Sequence, residues 1–448
     1  MEMFAGVGGF RGGLEGFPGE EFLGRGQYEV VWSNQFEPST KRQHASDVYV
    51  ARWGATGHLN EDINETLARE SYIYDLMADK VDVLVGGFPC QDYSVAKSAS
   101  SASGLQGKKG VLWWSIYEVL HRLVNVGQPV KHVILENVDR LLKSPTKNRG
   151  RDFAVILSSL ARLGYSVEWC VVNAADYGFA QRRTRTFIVA HHESTSAHEL
   201  VSQGLKNSFS NTVTSNAGVL CAALPCVEAG EVSRFQLPTD PVDTYVLYES
   251  SEDGRTRFKS AGVMTRDGNV TTVDVVAQGR SEMPKFTLGD IVNATALSDI
   301  PESFYIAPED VSKWQYFKGK KSLERTSKDG YTYRYNEGAM AFPDSLDRPG
   351  RTIITAEGGA APSRFKHVIE DRNGRLRRLI PQELEQMNGF PRDFTAVDGI
   401  SDTKRAFLMG NALVTGIVRA IGRQLYIASR QRPASRRKMT RHSGGVEG

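Results

Sequence analysis

The chain is expected to fold as an α/β protein, with a doubly wound, mostly parallel sheet and a smaller, irregular β-rich domain. Three observations lead there. Strand-like and helix-like runs alternate through residues 1–190, as they do in parallel sheets covered by helices. Several of the strand runs are apolar at nearly every position, the pattern of strands buried on both faces. Beyond residue 194 the alternation stops, and short β-like runs rich in Gly, Ser, Thr and charge take over.

Strands are predicted at 28–34 (YEVVWSN), 81–87 (VDVLVGG), 131–137 (KHVILEN), 165–174 (YSVEWCVVNA) and 185–192 (RTFIVAHH). Helical spacing joins them at 112–124 (LWWSIYEVLHRLV) and 151–164 (RDFAVILSSLARLG), the second closed by a glycine as helix ends often are. Residues 194–350 hold only short runs such as TYVLYE, NVTTVDVVA and YTYRY. Helix-forming sequence returns at 381–390 and 414–430, so the last helix is expected to pack back on the first domain. The division that follows is 1–193, 194–376, a returning segment 377–429, and a basic tail 430–448.

With 448 residues, 40% hydrophobic and 24% charged, the composition is that of an ordinary globular protein with room for two or three cores. No run of 18 apolar residues and no signal-peptide pattern occurs. The expectation is therefore a cytoplasmic protein without a membrane partner. Cys90, Cys170, Cys221 and Cys226 show neither CxxC nor zinc-site spacing, so neither a disulfide framework nor a metal is expected. The net charge is +3, yet the tail from Arg430 holds six Lys/Arg and one Glu. Such a tail reads as disordered, with at most weak affinity for phosphates.

Two stretches carry chemistry. In VDVLVGGFPCQDYS (81–94) a buried strand ends in Gly86 and Gly87, and Pro89 then stiffens the chain before Cys90. A thiol is thereby held just past the carboxyl end of a strand, where open α/β sheets place their ligands. FAGVGGF (4–10) is a short glycine-rich turn that lets backbone amides approach a nucleotide-like ligand, though it is not GxGxxG. SNQFEP (33–38) and EDI (61–63) end the next two elements with groups that accept from ribose hydroxyls and an adenine amine. Together the three point to an adenosine-containing cofactor. The missing third glycine and the Cys90 loop argue against a dehydrogenase.

FAGVGG, GGFPCQDYS, ILENV, NAADYGFAQRRTRTFIV and MGNALV stand in that order in one chain. Together they resemble the cytosine-5 DNA methyltransferases across about residues 1–190 and 350–425. The resemblance implies a Rossmann-like catalytic domain dependent on S-adenosylmethionine, with a target-recognition domain over 194–376. Carbon 5 of cytosine is a poor nucleophile. A thiolate added to carbon 6 makes an enamine whose carbon 5 takes the methyl group, and Cys90 is implied as that nucleophile. A free thiol is only about 3% ionised at pH 7, so a nearby positive charge or helix end is expected.

The same resemblance implies that Glu136, carrying a proton, donates to ring nitrogen 3 and accepts from the exocyclic amine. Arg183 and Arg185 are implied to face the pocket and contact the cytosine carbonyl oxygen, although a structural ion pair for one of them is an open alternative. Arg182 should point the other way. For the cofactor the implied residues are Phe4, Ala5, Gly6, Gly8 and Gly9, with Phe36 packed on adenine and Asp62 and Ile63 at its edge. Pro89, Leu112 and Asn411 complete the site. The family's ribose-binding acid falls at Gln35, so either Gln35 or Glu37 binds the ribose.

A base inside a duplex must be flipped out for this chemistry. VAKSASSASGLQGKKG (95–110) suits a lid, with Ser94, Lys97, Lys108 and Lys109 on the DNA. Double-stranded DNA is the expected partner, bound by a monomer, and a separate cognate restriction endonuclease is a plausible companion of a prokaryotic or phage enzyme. A tRNA methyltransferase of the same fold would carry a Cys-Phe-Thr element, which is absent, and a non-catalytic relative would lack Cys90 or Glu136. The target sequence is not legible. The first strand has only Met1, Glu2 and Met3 before FAG, and an upstream start is one explanation.

Overall fold

The computed structural model describes residues 1–20, 26–69, 71–88, 112–207, 218–250, 256–278, 285–326 and 330–430. Its centre is a ten-stranded sheet in the order β3-β2-β1-β4-β5-β7-β6-β10-β11-β9. The first half comprises β1 (Glu2–Met3), β2 (Ser33–Asn34), β3 (His58–Leu59), β4 (Val83–Gly86) and β5 (His132–Val138), all parallel. β6 (Tyr165–Asn173) and β7 (Thr184–His192) continue it, with β7 antiparallel to both β5 and β6. The pairings leave seven of the ten strands running one way. The chain winds outward from β1 to β3 and then returns to β4, so a switch point lies between β1 and β4.

Alternating side chains divide the core into two layers. Leu84 joins Trp113, Phe153 and Trp169 on one face. Its neighbour Val85 joins Phe10, Ile134, Phe187 and Ile421 on the other. That second layer is closed by the helix Thr415–Ser429, which crosses the helix Gly9–Leu14 so closely that a Cβ on Gly13 would lie 2.7 Å from Val418. A third cluster joins Phe17 and Val48 to Ile353, Ile369, Leu384, Phe390 and Met409.

Besides TYVLYE (244–249), read as β-like but part of the helix Pro241–Glu249, two features depart from the sequence reading. Only Ser33 and Asn34 of the run 28–34 are strand, because the two-residue β1 supplies no longer partner. Beyond Met1 lies a cavity of about 630 Å³ bordered by residues 28–31 and 79–83. Second, residues grouped by the sequence with the recognition domain belong to the central sheet. β8 (Cys226–Glu228) pairs instead with β12 (Val275–Ala277). β9 (Ser233–Gln236), β10 (Ala261–Met264) and β11 (Asn269–Val273) extend the central sheet beyond β6. The helix Pro241–Glu249 then covers the helix Arg151–Arg162, where Ser158 and Thr244 hydroxyls meet at 2.7 Å. β13 (Lys321–Thr326) and β14 (Thr332–Glu337) form a separate hairpin, and β15 (Ile369–Glu370) pairs with β16 (Leu376–Arg377).

Glu2 is fully buried in β1. The amides of Phe10 and Arg11 donate to its Oε1 at 3.2 and 3.3 Å, and the Tyr49 hydroxyl donates to Oε2 at 3.3 Å. Burial outweighs these donors and raises its pKa from the usual 4.5 to about 7. The folded state therefore holds a proton that the unfolded chain releases. Glu2 should cost no stability below pH 4.5, a growing amount as the pH rises to about 7, and a constant amount of order 3 kcal/mol above that. Denaturant melts of Glu2→Gln between pH 4 and 8 should lack this decline, whereas the parent chain shows it.

Candidate active site

The carboxyl ends of the first five strands open on one rim of the sheet. After β1 the chain turns through Phe4 and Gly6, at φ of 54° and 56°, both in the left-handed region. A Cβ on Gly6 would meet nothing within 4 Å, so this turn borders open space. Gly8 and Gly9 are different. A Cβ on Gly8 would collide with Trp53 at 2.2 Å, and one on Gly9 would press on Leu413 at 3.0 Å. These two glycines, expected at the cofactor, are closely packed and let the helix Gly9–Leu14 begin against its neighbours.

At the end of β2, Gln35 is buried, and its Oε1 accepts from the Gly6 amide at 2.7 Å. This bond fixes the glycine turn. Phe36 is 36% exposed. The Glu37 carboxylate enters no ion pair or hydrogen bond among the described residues. After β3, Asp62 caps the helix Ile63–Ala68; its Oδ1 accepts from the Asn64 amide at 2.9 Å and the Asn64 side chain at 3.0 Å, leaving Oδ2 for another donor. Ile63 is buried as the first helical residue. Ala5, buried, donates its amide to Asn34 at 2.9 Å. An open glycine turn, an exposed ring and two carboxylates with free acceptor oxygens fit an adenosine group. Leu112 opens the helix Leu112–Asn125, half-buried, and Asn411 is exposed at the end of the helix Asp402–Asn411.

The second half of the rim holds the charged groups. Gly86 is in register with Leu135, so Gly87 runs beside Glu136. A Cβ on Gly87 would be 3.4 Å from Glu136 Oε2. The other carboxylate oxygen takes Arg185 Nε at 2.8 Å. Both side chains are largely covered, at 13% and 18% exposure. Arg185 comes from the start of antiparallel β7, directly opposite Val138 at the end of β5. Asn137, which the sequence reading passed over, donates its Nδ2 to the Phe88 carbonyl at 2.9 Å. It ties the outgoing loop to β5, and its place inside ILENV was the available signal.

Arg183 lies deeper than expected. It is 3% exposed and donates to the carbonyls of Ile353 at 3.4 Å and Gly410 at 3.2 Å. Its buried Nε has no partner among the described residues. Burial, with Arg185 beside it, lowers its pKa to about 9. Arg182 between them is exposed. Gln181 was also missed: its Oε1 accepts from the Ile353 amide at 3.1 Å and its Nε2 donates to Asn388 at 2.8 Å. Pro89, Cys90, Ser94, Lys97, Lys108 and Lys109 lie outside the described residues. A separate cavity of about 690 Å³, lined by His44, Lys366, Lys404 and Phe407, shares no residue with this rim. Among the described residues no three His, Cys, Asp or Glu side chains are placed to hold a metal ion.

Residues 1–426 match the family model of the C-5 cytosine-specific DNA methylases. The chain belongs to this family. It is 39% identical to Type II methyltransferase M.Sau3AI of Staphylococcus aureus, over 95% of this chain and 94% of that one. To Type II methyltransferase M.HpaII of Haemophilus parainfluenzae it is 26% identical, over 72% and 89%. Its fold resembles that of a methyltransferase from Entamoeba histolytica (TM-score 0.52, 13% identity, 96% of this chain and 98% of that one). It likewise resembles the Dnmt2 methyltransferase of S. pombe (0.51, 12%, 95% and 96%). The methylase is thus a DNA (cytosine-5-)-methyltransferase with a mostly parallel central sheet. No helix among the described residues is long and apolar enough to cross a membrane.

The two kinds of glycine separate by experiment. Gly6→Ala should cost about 1–2 kcal/mol of stability, the penalty for alanine in the left-handed region, and weaken S-adenosylmethionine binding at least about tenfold. Gly8→Ala adds a collision and should lose roughly a further 1–3 kcal/mol. Denaturant melts and calorimetric titration of the cofactor read the two effects.

Proposed function

We propose that the methylase flips a cytosine out of a specific duplex sequence and attacks its carbon 6 with Cys90, while Glu136 and Arg185 grip the ring. The ion pair of Glu136 with Arg185, beside the Gly87 turn that leads to Cys90, is the observation that carries this reading. Bound S-adenosylmethionine supplies an electrophilic methyl group. Phe36, Glu37, Asp62 and Ile63 hold its adenosine, with Glu37 rather than Gln35 on the ribose, since Gln35 Oε1 already accepts from the Gly6 amide. The Gly6 turn and Asn411 border the methionine end, together with Pro89 and Leu112.

Each chain group has one task. Cys90 forms a carbon–sulfur bond at carbon 6, which moves electron density to carbon 5. Glu136 addresses ring nitrogen 3 and the exocyclic amine, and the guanidinium of Arg185 addresses the carbonyl oxygen and fixes Glu136. Arg183 acts on this group indirectly, by holding the segments of Ile353 and Gly410 against it. After methyl transfer carbon 5 loses its proton and the thiolate leaves carbon 6. Residues 95–110 close over the DNA, with Ser94, Lys97, Lys108 and Lys109 at phosphates.

The target sequence is read by residues from 285 to 376, the part of the recognition region that lies apart from the central sheet. One chain acts on one base. Its relatives' designation as Type II methyltransferases supports a role as the modification enzyme of a restriction-modification pair, in the cytoplasm, beside a separate endonuclease.

Duplex DNA carrying 5-fluorocytosine should trap the methylase as a covalent complex, because fluorine cannot leave carbon 5 as a proton does. The adduct should be absent with Cys90→Ala; methylation of ordinary DNA without any trapped adduct would refute the mechanism. Arg185→Ala should lower methyl transfer at saturating substrates by about 10²–10³, with little change in cofactor affinity.

A further inference from the structure

We infer that the β13–β14 ribbon is a base-reading element that lies in the major groove of the substrate duplex, through the face formed by Ser322, Glu324, Thr326, Thr332, Arg334 and Asn336. The inference rests on the reading of the chain as a duplex-DNA methylase and specifies where its sequence preference resides.

The ribbon lacks the usual reason to exist. Among the described residues it pairs with no other sheet, and nearly every residue described along both strands is exposed. A two-stranded ribbon without a core is marginal in water, so packing does not explain its retention. Its width matches the major groove, which admits such a ribbon. Six residues per strand span about 20 Å, roughly the length of six base pairs at 3.4 Å each. From Lys318 to Glu337 the sequence holds six Lys/Arg against three Asp/Glu, the sign that suits a polyanion.

Its two faces differ. Cross-strand partners share a face, so Lys321, Leu323, Arg325 and Tyr333 lie together, and Lys321 Nζ rests over the rings of Tyr316 and Phe317 at 4.5 and 4.7 Å. On this face Lys321 is the residue that meets the helix Val311–Lys318. The opposite face carries three polar pairs: Ser322 with Asn336, Glu324 with Arg334, and Thr326 with Thr332. Arg334 and Glu324 stand opposite each other without forming an ion pair. The Ser322 hydroxyl donates to Asn336 Oδ1 at 2.7 Å, which leaves the Asn336 amide donors free. Arg, Asn and Glu are the side chains that pair with guanine, adenine and cytosine edges in that groove.

The foot of the ribbon is fixed to the reaction site. Lys318, 1% exposed, donates Nζ to Asp344 at 3.3 Å and to the Lys366 carbonyl at 2.6 Å. Arg351 clamps the same Asp344 through two bonds, at 2.8 and 3.0 Å. Arg364 reaches Glu337 at 3.1 Å and the carbonyls of Gly319 and Gly338. Between Arg351 and Arg364 runs the segment whose Ile353 carbonyl Arg183 holds. The ribbon is therefore oriented relative to the flipped base through one continuous set of bonds.

The test selects duplexes from a random-sequence pool with the full chain and with Arg334→Ala, Asn336→Ala and Glu324→Gln, and maps methylated sites by bisulfite sequencing. These side chains are exposed, and thermal melting confirms that each variant folds. Each variant should lose preference at one base-pair position, keep it at the others, and raise the KM for DNA about tenfold or more. Its kcat at saturating DNA should stay within about threefold. Unchanged sequence preference in all three variants overturns the inference, whether KM is unaltered or raised as for a phosphate clamp alone. If the unaltered chain methylates no duplex, the reading underneath fails instead, and this inference fails with it.

Discussion

A nearly buried guanidinium organises this molecule. Arg183 is a cation with 3% of its surface exposed, and such a group is costly in an interior unless its donors are taken. Two of its nitrogens donate to carbonyls 170 and 227 residues further along the chain, at Ile353 and Gly410, while its Nε has no partner among the described residues. Gln181 adds the Ile353 amide and Asn388. Gly410 makes the approach possible, since a Cβ there would lie 2.5 Å from the backbone of Thr355. Without these bonds, Asn411 and the segment leading to the ribbon would have no fixed relation to the rim where Glu136 stands.

The same residue shapes the field at the rim. Glu136 and Arg185 meet at 2.8 Å, and Arg183 stands beside them with no ion pair of its own among the described residues. Its pKa falls to about 9 through burial and through Arg185, which still leaves it charged at neutral pH. The excess is one positive charge in a poorly solvated place. A field of that sign favours negative charge that develops on a group brought to the rim.

How much of this could be read in advance depended on whether a pattern was local. Apolar runs gave β4, β5, β6 and β7 within a residue or two, because burial on both faces leaves its mark in each strand's own sequence. The run 28–34 failed because strand formation needs a partner, and β1 offers only Glu2 and Met3. The run NVTTVDVVA was read as β-like and holds β11, but the extension of the central sheet by β9 to β11 was invisible, because it is set by pairing across to β6. Motif spacing singled out Glu136 and Arg185, which meet at 2.8 Å, yet it did not separate Gly6 from Gly8, whose difference is the presence of Trp53 near one of them. Position alone left the ribose to either Glu37 or Gln35. Only its bond to Gly6 reveals that it shapes the turn.

The way the recognition region is attached bears on how it can change. Arg183 bonds to two carbonyls, Gln181 accepts from an amide, and Gly350 exchanges backbone bonds of 2.8 Å with Ala180 and Arg182. All of these reach main-chain atoms, which every residue but proline supplies alike. Substitutions in the attached segment therefore leave the junction intact so long as its backbone path is kept. The ribbon, joined further out through Lys318, Asp344 and Arg364, buries almost nothing along its strands, so changes on its polar face remove no core contact. Target sequence can therefore vary on the exposed ribbon without disturbing the bonds that join its segment to Gln181 and Arg183. The price is that any shift of the main chain between Gly350 and Ile354 reaches Glu136 and Asn411 together.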